Sequence, residues 1–492
     1  MAGKVSDPHP DYEVVSPDWE LMRDAIAGET TVKDKTDTYL PMPSGFKAQD
    51  DGGAEMYAGY ILRGKFPEIM GPTLRGMVGI IHRIAAEIEL PAQLEPLREV
   101  ATTDGLPLTA LHERITYELL GTGRYGLLVD ASSDGQDTIP YIAGYKAESI
   151  INWSRDADFY VLDETCLVRD GFEWVESPRY RVLELTGASD NDSETAAVGE
   201  YTQVVWEGPG DSEADAGDPI IPQMKGGTKF DEIPFVIIGS TDVVADIDEV
   251  PLIGVARAAF NMYRLDTDYK WQLFMSGQET LFVMSDTDQA VETVGAGVVI
   301  NIPSGSEAKY VGPSGVGITA HKEAILDERY QAVAAGAKMF DTEHKAQESG
   351  EALKIRWAAQ TASLTTIALN SAKGLERALK YAAEFIGANP DEVIVKPSLR
   401  FIDSTLEPQA AKYLMDLWMG GAISKTTLYE NLQRGDIATY DRSFEDEEEL
   451  INQEIPDLIA PSMVREDEKA DAAAERMAKT APPSGPKLVV QK

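Results

Sequence analysis

One stretch of this chain restricts its architecture more than any other. From Glu351 to Ile386 there are 36 residues without proline and with a single internal glycine, Gly374. As a continuous helix this stretch would be ~54 Å long at ~1.5 Å per residue. Ordinary globular helices run to about three turns, so a helix this long points to a backbone element of an assembly. Trp357, Gln360, Leu364, Ile367, Ser371, Leu375, Ala378, Ala382 and Phe385 form a stripe along it. Interleaved alanines would let neighbouring helices approach closely. Trp357, Leu364, Ile367 and Leu375 are the candidate packing residues, against neighbouring subunits or the rest of the chain.

The segment before this stretch alternates helix, strand and helix. Leu252 to about Ser276 is helical and rich in aromatics (Phe260, Tyr263, Tyr269, Trp271, Phe274). A β-rich insert covers Thr280 to about Val316, and helix resumes at His321 and runs to Phe340. Asp341–Gly350 then breaks the apolar pattern.

The N-terminal half reads as α+β with a mostly antiparallel sheet. Ser16 is expected to cap a helix with Pro17 in its first position, ending at Gly28. A helix follows from Glu55. A further one spans Pro72 to about Ile88, with Leu74, Met77, Ile80, Ile81 and Ile88 near one face. Leu108, Leu111, Ile115, Leu119 and Leu120 repeat at helical spacing. Strands are expected at Tyr125–Val129, Pro140–Tyr145, Asp158–Leu162, Tyr180–Leu185, Tyr201–Trp206 and Pro234–Ile238. Pro408 to about Gln453 is helical, and the charged, then Pro-rich, tail from Pro461 has the composition of a disordered segment.

No residue set demands catalysis. Gly121-Thr-Gly123-Arg-Tyr-Gly126 matches the spacing of a dinucleotide-binding loop. That loop needs a strand before it and a helix after, and here the order is reversed, so these glycines are expected to end a helix and turn the chain. Asp211–Asp218 carries alternating carboxylates, but a calcium loop would need glycine at Ala216 and glutamate at Pro222. His9, His82, His112, His321 and His344 show no metal-ligand spacing. Neither the phosphate-binding loop of a packaging ATPase nor a nucleophile elbow is present. Asp266 and Asp268 make an acidic pair in a chain where acids are common. No cofactor and no metal is expected.

Charge narrows the partners. The chain has 44 Lys and Arg against 83 Asp and Glu, a formal net charge of −39. Gripping nucleic acid requires clustered cations that displace counterions from phosphates, and this surface would mostly repel DNA. Simple solubility accounts for the same excess; so does a wall past which DNA slides without being held. No apolar run approaches the ~20 residues of a membrane span, and the N-terminus lacks an apolar signal core, so no export is expected. The sole cysteine, Cys166, cannot form an intrachain disulfide, which suits a reducing compartment.

Several local phrases, in order, resemble the portal proteins of tailed bacteriophages. They are His9-Pro-Asp-Tyr12, Pro17-Asp-Trp-Glu-Leu-Met-Arg-Asp24, Tyr39-Leu-Pro41, Pro43-Ser-Gly45 and Gly121-Thr-Gly-Arg-Tyr-Gly-Leu-Leu-Val-Asp130. Ala147-Glu-Ser-Ile-Ile-Asn-Trp153, Arg179-Tyr-Arg-Val-Leu-Glu-Leu185 and Gly421-Ala-Ile-Ser-Lys-Thr-Thr-Leu-Tyr-Glu-Asn-Leu-Gln-Arg-Gly435 continue the series.

The resemblance implies a helix-rich α+β fold with a wing over 1–250, a first stem helix over 251–276 and a clip over 277–318. A second stem helix over 319–340, a tunnel loop over 341–352 and a long helix over 353–388 would follow. A helical wing or crown region over 389–460 and a tail over 461–492 complete it. It also implies a homo-oligomeric ring of about twelve subunits at one capsid vertex of the virion, assembled in the host cytoplasm. Double-stranded DNA would pass through the lumen. Expected partners are the terminase large subunit, head-completion or adaptor proteins, and capsid or scaffold protein, with no membrane. His344, Lys345, Lys354 and Arg356 are then candidate channel residues. Two alternatives stay open: another head-completion or minor capsid protein, and a metal-dependent nuclease.

Overall fold

The computed structural model describes residues 3–48, 50, 52–131, 139–186, 199–210, 212–276, 280–284, 307–311, 316–336, 350–399, 401, 408–434, 437–439 and 442–453. The chain divides into two units, Met1–Phe401 and Ile402–Lys492.

The first unit is mixed α+β. Helices α1 (Pro10–Ala27), α2 (Glu29–Asp34), α3 (Ala54–Arg63) and α4 (Met70–Ile81) lead to a short strand, β1 (Glu87–Glu89), and then α5 (Leu108–Thr122). Next come β2 (Arg124–Asp130), β3 (Tyr141–Lys146), β4 (Ile150–Trp153), β5 (Phe159–Asp163), β6 (Cys166–Asp170), β7 (Glu173–Ser177), β8 (Arg179–Thr186), β9 (Glu200–Glu207) and β10 (Phe235–Gly239). The chain continues through α6 (Ile253–Ser276), β11 (Thr280–Met284), β12 (Glu307–Val311), α7 (Val316–Ala334), α8 (Gly350–Phe385) and β13 (Ile394–Lys396).

Among the described residues all strand pairings are antiparallel: β10-β2-β3 form one sheet, β4-β5-β8-β9 another, and β1-β13, β6-β7 and β11-β12 are two-stranded. The second unit contains α9 (Pro408–Met419) and α10 (Lys425–Arg434).

The core lies where α5 and α8 pack on β2 and β10. β2 is buried on both faces, which explains its unbroken Tyr125–Val129 apolar run where an exposed strand would alternate. The glycines at its start act as expected. Gly123 ends α5 with φ +78°, and a β-carbon there would lie 3.0 Å from the Glu249 carbonyl oxygen. Gly126 leaves room for Phe235 and Ile150.

Three helix boundaries differ from the sequence expectation. α1 starts at Pro10, not Pro17: His9 Nδ1 accepts the Asp11 backbone N–H at 3.1 Å, and Pro17 sits inside the helix. An interior proline costs ~3 kcal/mol, so tertiary contacts must offset it. Trp19 and Met22 are fully buried. Trp19 Nε1 donates to the Thr122 carbonyl at 2.9 Å, and the His9 ring stacks on Trp153 at 4.3 Å.

The helix expected over 72–88 ends at Ile81. Ile88 belongs instead to β1, opposite Val395. Likewise α7 stops at Ala334, short of Phe340, and Gly336 follows with φ +131°, a conformation that favours glycine.

Candidate functional site: a doubled-back arm leading to a long helix

The first half of α6 is bound firmly to the N-terminal helices. Val255, Ala256, Ala259, Phe260 and Tyr263 are buried. Phe260 stacks on Tyr39 at 4.2 Å and meets Phe66 at 5.1 Å, while Arg264 Nε donates to the Tyr39 carbonyl at 2.9 Å. The acidic pair on this helix is committed to structure: Asp266 accepts the Lys65 backbone N–H at 2.8 Å and pairs with Lys270 at 2.8 Å, and Asp268 accepts from the Tyr60 hydroxyl. Further along, Trp271 joins Phe46 and Tyr60, and the Arg63 guanidinium lies 3.8 Å from the centre of the Phe274 ring.

Beyond that anchor the chain doubles back. α7 returns antiparallel to α6, with Asn261 Nδ2 donating to Glu328 Oε2 at 3.4 Å and Gln272 bonded to His321 at 2.9 Å. Near the root, a β-carbon on Gly254 would lie 3.0 Å from the Ala335 methyl. Beyond the helices the pairing continues in a ribbon from Thr280 opposite Val311 to Met284 opposite Glu307. α6 alone spans ~36 Å, so α6, the ribbon and α7 make one long folded-over arm. Leu273, Met275, Phe282 and Met284 are exposed on it.

The arm's return leads to α8, whose 36 residues match the length read from the sequence. Its C-terminal half is threaded through the core: Ile367, Ala368, Ser371, Leu375, Ala378 and Ala382 are buried. Gly374 lets it lie directly on Ile238 of β10, and Asn370 Nδ2 donates to the Gly239 carbonyl at 3.3 Å.

His112 of α5 and His82, which caps the C-terminus of α4, complete this seat. Ser371 Oγ donates to the Ala368 carbonyl at 3.0 Å, so it must accept the Nε2–H of His112 at 3.1 Å. Thr116 Oγ1 donates to the His112 carbonyl at 3.1 Å, so it accepts the Nε2–H of His82 at 2.8 Å. A hydroxyl has one proton to donate, so with both hydroxyls turned to carbonyls each ring donates from Nε2. Burial, with the adjacent His82, pushes His112 down to about 3.

A second charged cluster borders a cleft of about 380 Å³ between β2, β3 and β8. Arg181 Nε donates to Glu164 at 2.7 Å and its Nη1 to Gln203 at 2.7 Å, and Tyr145 donates to Glu164 at 2.6 Å. Arg114 pairs with Asp104 at 3.0 Å. Burial raises the Asp130 carboxyl although Arg181 lies near it. These charges pair with one another; Arg179, also lining the cleft, lies 3.3 Å from Glu164, although its Nε makes no hydrogen bond among the described residues. Arg124, stacked 3.9 Å over Trp153, is buried and donates from Nη2 to the Ala245 carbonyl at 2.9 Å, while its Nε and Nη1 make no hydrogen bond among the described residues. Burial lowers its pKa to about 10.

The residues singled out in the sequence fall in three places. His344 and Lys345 lie outside the described residues. Lys354, Arg356 and Trp357 are on the first turns of α8, with side chains outside the described set. Leu364 is half-buried, whereas Ile367 and Leu375 are buried within their own chain and so are not free to meet a neighbour. Among the described residues no group of three or more His, Cys, Asp or Glu could hold a metal ion.

The sequence reading missed the hairpin β6-β7. Its signal was available in Asp170-Gly171 between two apolar runs. Gly171 has φ +62° and Phe172 does not share the positive φ, the pattern of a type II′ turn.

A family model described as a domain of unknown function (DUF4055) matches residues 251–386, which are the arm and the long helix together. No curated protein matches the sequence. Among solved structures, the chain is similar to a chain of the neck of a native GTA particle computed with C12 symmetry (TM-score 0.37, 13% identity, covering 74% of this chain and 89% of that one). It is likewise similar to a chain of the neck of an empty GTA particle computed with C6 symmetry (0.40, 13%, 80% and 94%). A third match is to a chain of the virion of a native gene transfer agent (GTA) particle (0.40, 14%, 81% and 98%).

Proposed function

We propose that this chain is the subunit of a portal-type ring in a tailed-phage-like particle, a structural protein through which DNA enters and leaves the capsid. One observation carries the reading: a helix–ribbon–helix arm returns toward a 36-residue helix whose C-terminal half is locked into the core. Such an arm buries little of its distal surface by itself, which is the condition of an element that completes its packing in an assembly. In this reading α6 and α7 are the stem helices, the ribbon belongs to the clip, and the tunnel loop is the segment that precedes α8, a helix that already includes residues 350–352 of the span expected for the loop. The ring of about twelve copies would engage terminase, adaptor proteins and capsid or scaffold.

The charge supports a passage and not a grip. Each Lys–phosphate contact is a barrier to sliding, and a chain of net charge −39 offers few of them. A non-catalytic role is supported by the way the charged side chains around the cleft satisfy one another.

His344→Ala with Lys345→Ala tests the lumen assignment. Rings should form normally, while retention of packaged DNA should change modestly and in a salt-dependent way. Unchanged DNA content and titre would refute a lumen role. Failure to assemble would place this segment in an interface.

A further inference from the structure

We propose that His9 is a pH-sensitive latch, which holds the N-terminal segment on the edge of β4 while its ring is neutral and releases it on protonation. β4 is the outer strand of its sheet, and the segment before α1 lies along it. The His9 N–H donates to the Ile151 carbonyl at 2.8 Å, and Asn152 Nδ2 donates to the Asp7 carbonyl at 3.2 Å. Farther out, the Val5 N–H donates to the Gly210 carbonyl at 3.3 Å. The His9 ring closes the segment down by stacking on Trp153 of β4 at 4.3 Å.

The closed geometry admits one protonation state of that ring. Nδ1 accepts the Asp11 N–H at 3.1 Å, so Nδ1 is bare and the ring's single proton sits on Nε2. An imidazolium is a donor at both nitrogens. Protonation therefore sets two N–H groups against each other and strips α1 of its cap. The new charge also stands at the N-terminus of an 18-residue helix, where the dipole favours anions. Cation–π attraction to Trp153 offers little in return, because the same indole already carries the buried Arg124 guanidinium, 3.9 Å from the ring centre.

The other charged groups nearby do not reverse this sign. Asp11 lies 3.7 Å from His9, but its side chain is 61% exposed, and exposed pairs contribute little. Asp7 is turned to the Lys4 N–H at 2.7 Å, and Arg155, two residues past Trp153, to Asp246 at 3.1 Å. Tyr160, across from Trp153 on β5, is pushed up to about 12 by burial and stays neutral. Nδ1 takes up a proton in the open segment and not in the closed one, so falling pH favours opening. Histidine ordinarily changes charge between about pH 5 and 8. Trp19 and Met22, fully buried, keep the rest of α1 seated, so release is confined to its start. Each of these contacts lies within one chain, and the latch does not depend on the ring.

Hydrogen exchange of the full chain, read by mass spectrometry on peptides covering the start of α1 and corrected for the intrinsic rate at each pH, tests the latch. Protection in the wild type should fall at least ~tenfold between about pH 7.5 and 5.5. His9→Asn keeps a capping oxygen and cannot titrate, so its protection should stay level over that range. Asp11→Asn keeps the histidine and removes the one carboxylate that favours the charged ring in place, so its fall should be at least as large as that of the wild type. Unchanged protection in the wild type, an equal fall in His9→Asn, or a smaller fall in Asp11→Asn than in the wild type overturns the proposal.

Discussion

Replacing Gly374 with alanine sets two well-calibrated effects against each other at the point where the long helix crosses the sheet. In an exposed helix interior, Gly→Ala stabilises by ~1 kcal/mol through backbone entropy and propensity. At Gly374 the new methyl would overlap Ile238 Cδ1 and Cγ1 and lie 3.2 Å from Cγ2. Ile238 is fully buried and β-branched, so it has no low-energy way to turn aside. Overpacking of this kind costs ~1–3 kcal/mol, and the severity of the overlap places Gly374→Ala at the upper end. The expected net is a destabilisation of ~1–2 kcal/mol, read by urea denaturation followed by tryptophan fluorescence. Ile238→Ala alone should cost ~2–5 kcal/mol as a cavity. In the double variant the methyl enters that cavity, so the coupling should be favourable by at least ~1 kcal/mol. A stabilised Gly374→Ala protein, or strict additivity in the double variant, would refute the close seating of α8 on β10.

Two further outcomes follow from buried polar groups. Arg23 links Glu118 (2.6 Å) and Glu148 (2.6 Å), and although burial pushes Glu148 up, these bonds hold it below the usual carboxylate range. Arg23→Met should destabilise by ~3–5 kcal/mol because Glu118 stays buried without its cation, and a loss under ~1 kcal/mol in urea titrations would contradict this. His112 is held neutral far below its unfolded value of ~6.5. Its contribution is therefore complete above pH ~6.5 and declines as pH falls toward about 3. Between pH 6.5 and 4.5 the loss should reach ~2–3 kcal/mol, and His112→Gln should flatten that part of the profile; an unchanged slope would show that other groups set it.

The parts of the fold legible in the sequence are those where a single period dominates. The helical repeat of Leu108, Leu111, Ile115 and Leu119 marked α5, and the glycines after it marked the turn into β2. The length of α8 was readable because nothing interrupts it. The start of α1 was not, because Pro17 carries the local signature of a first turn while the real start depends on a stack between His9 and Trp153, distant in sequence. β1 and β13 are three residues each, too short to display a period. Of the candidate residues, Ile367 and Leu375 are buried within this chain; periodicity marks a stripe but cannot say whose surface the stripe meets. The histidine seat also escaped notice, since His82 and His112 come together only through the packing of α4 on α5.

The measurement that bears most directly on the proposed function is electron microscopy of the purified full chain, with images taken across a range of concentration and ionic strength. A portal-type subunit predicts closed rings with a central hole, built from many copies of the 53.7 kDa chain. Uniform single-copy particles under every condition would contradict it.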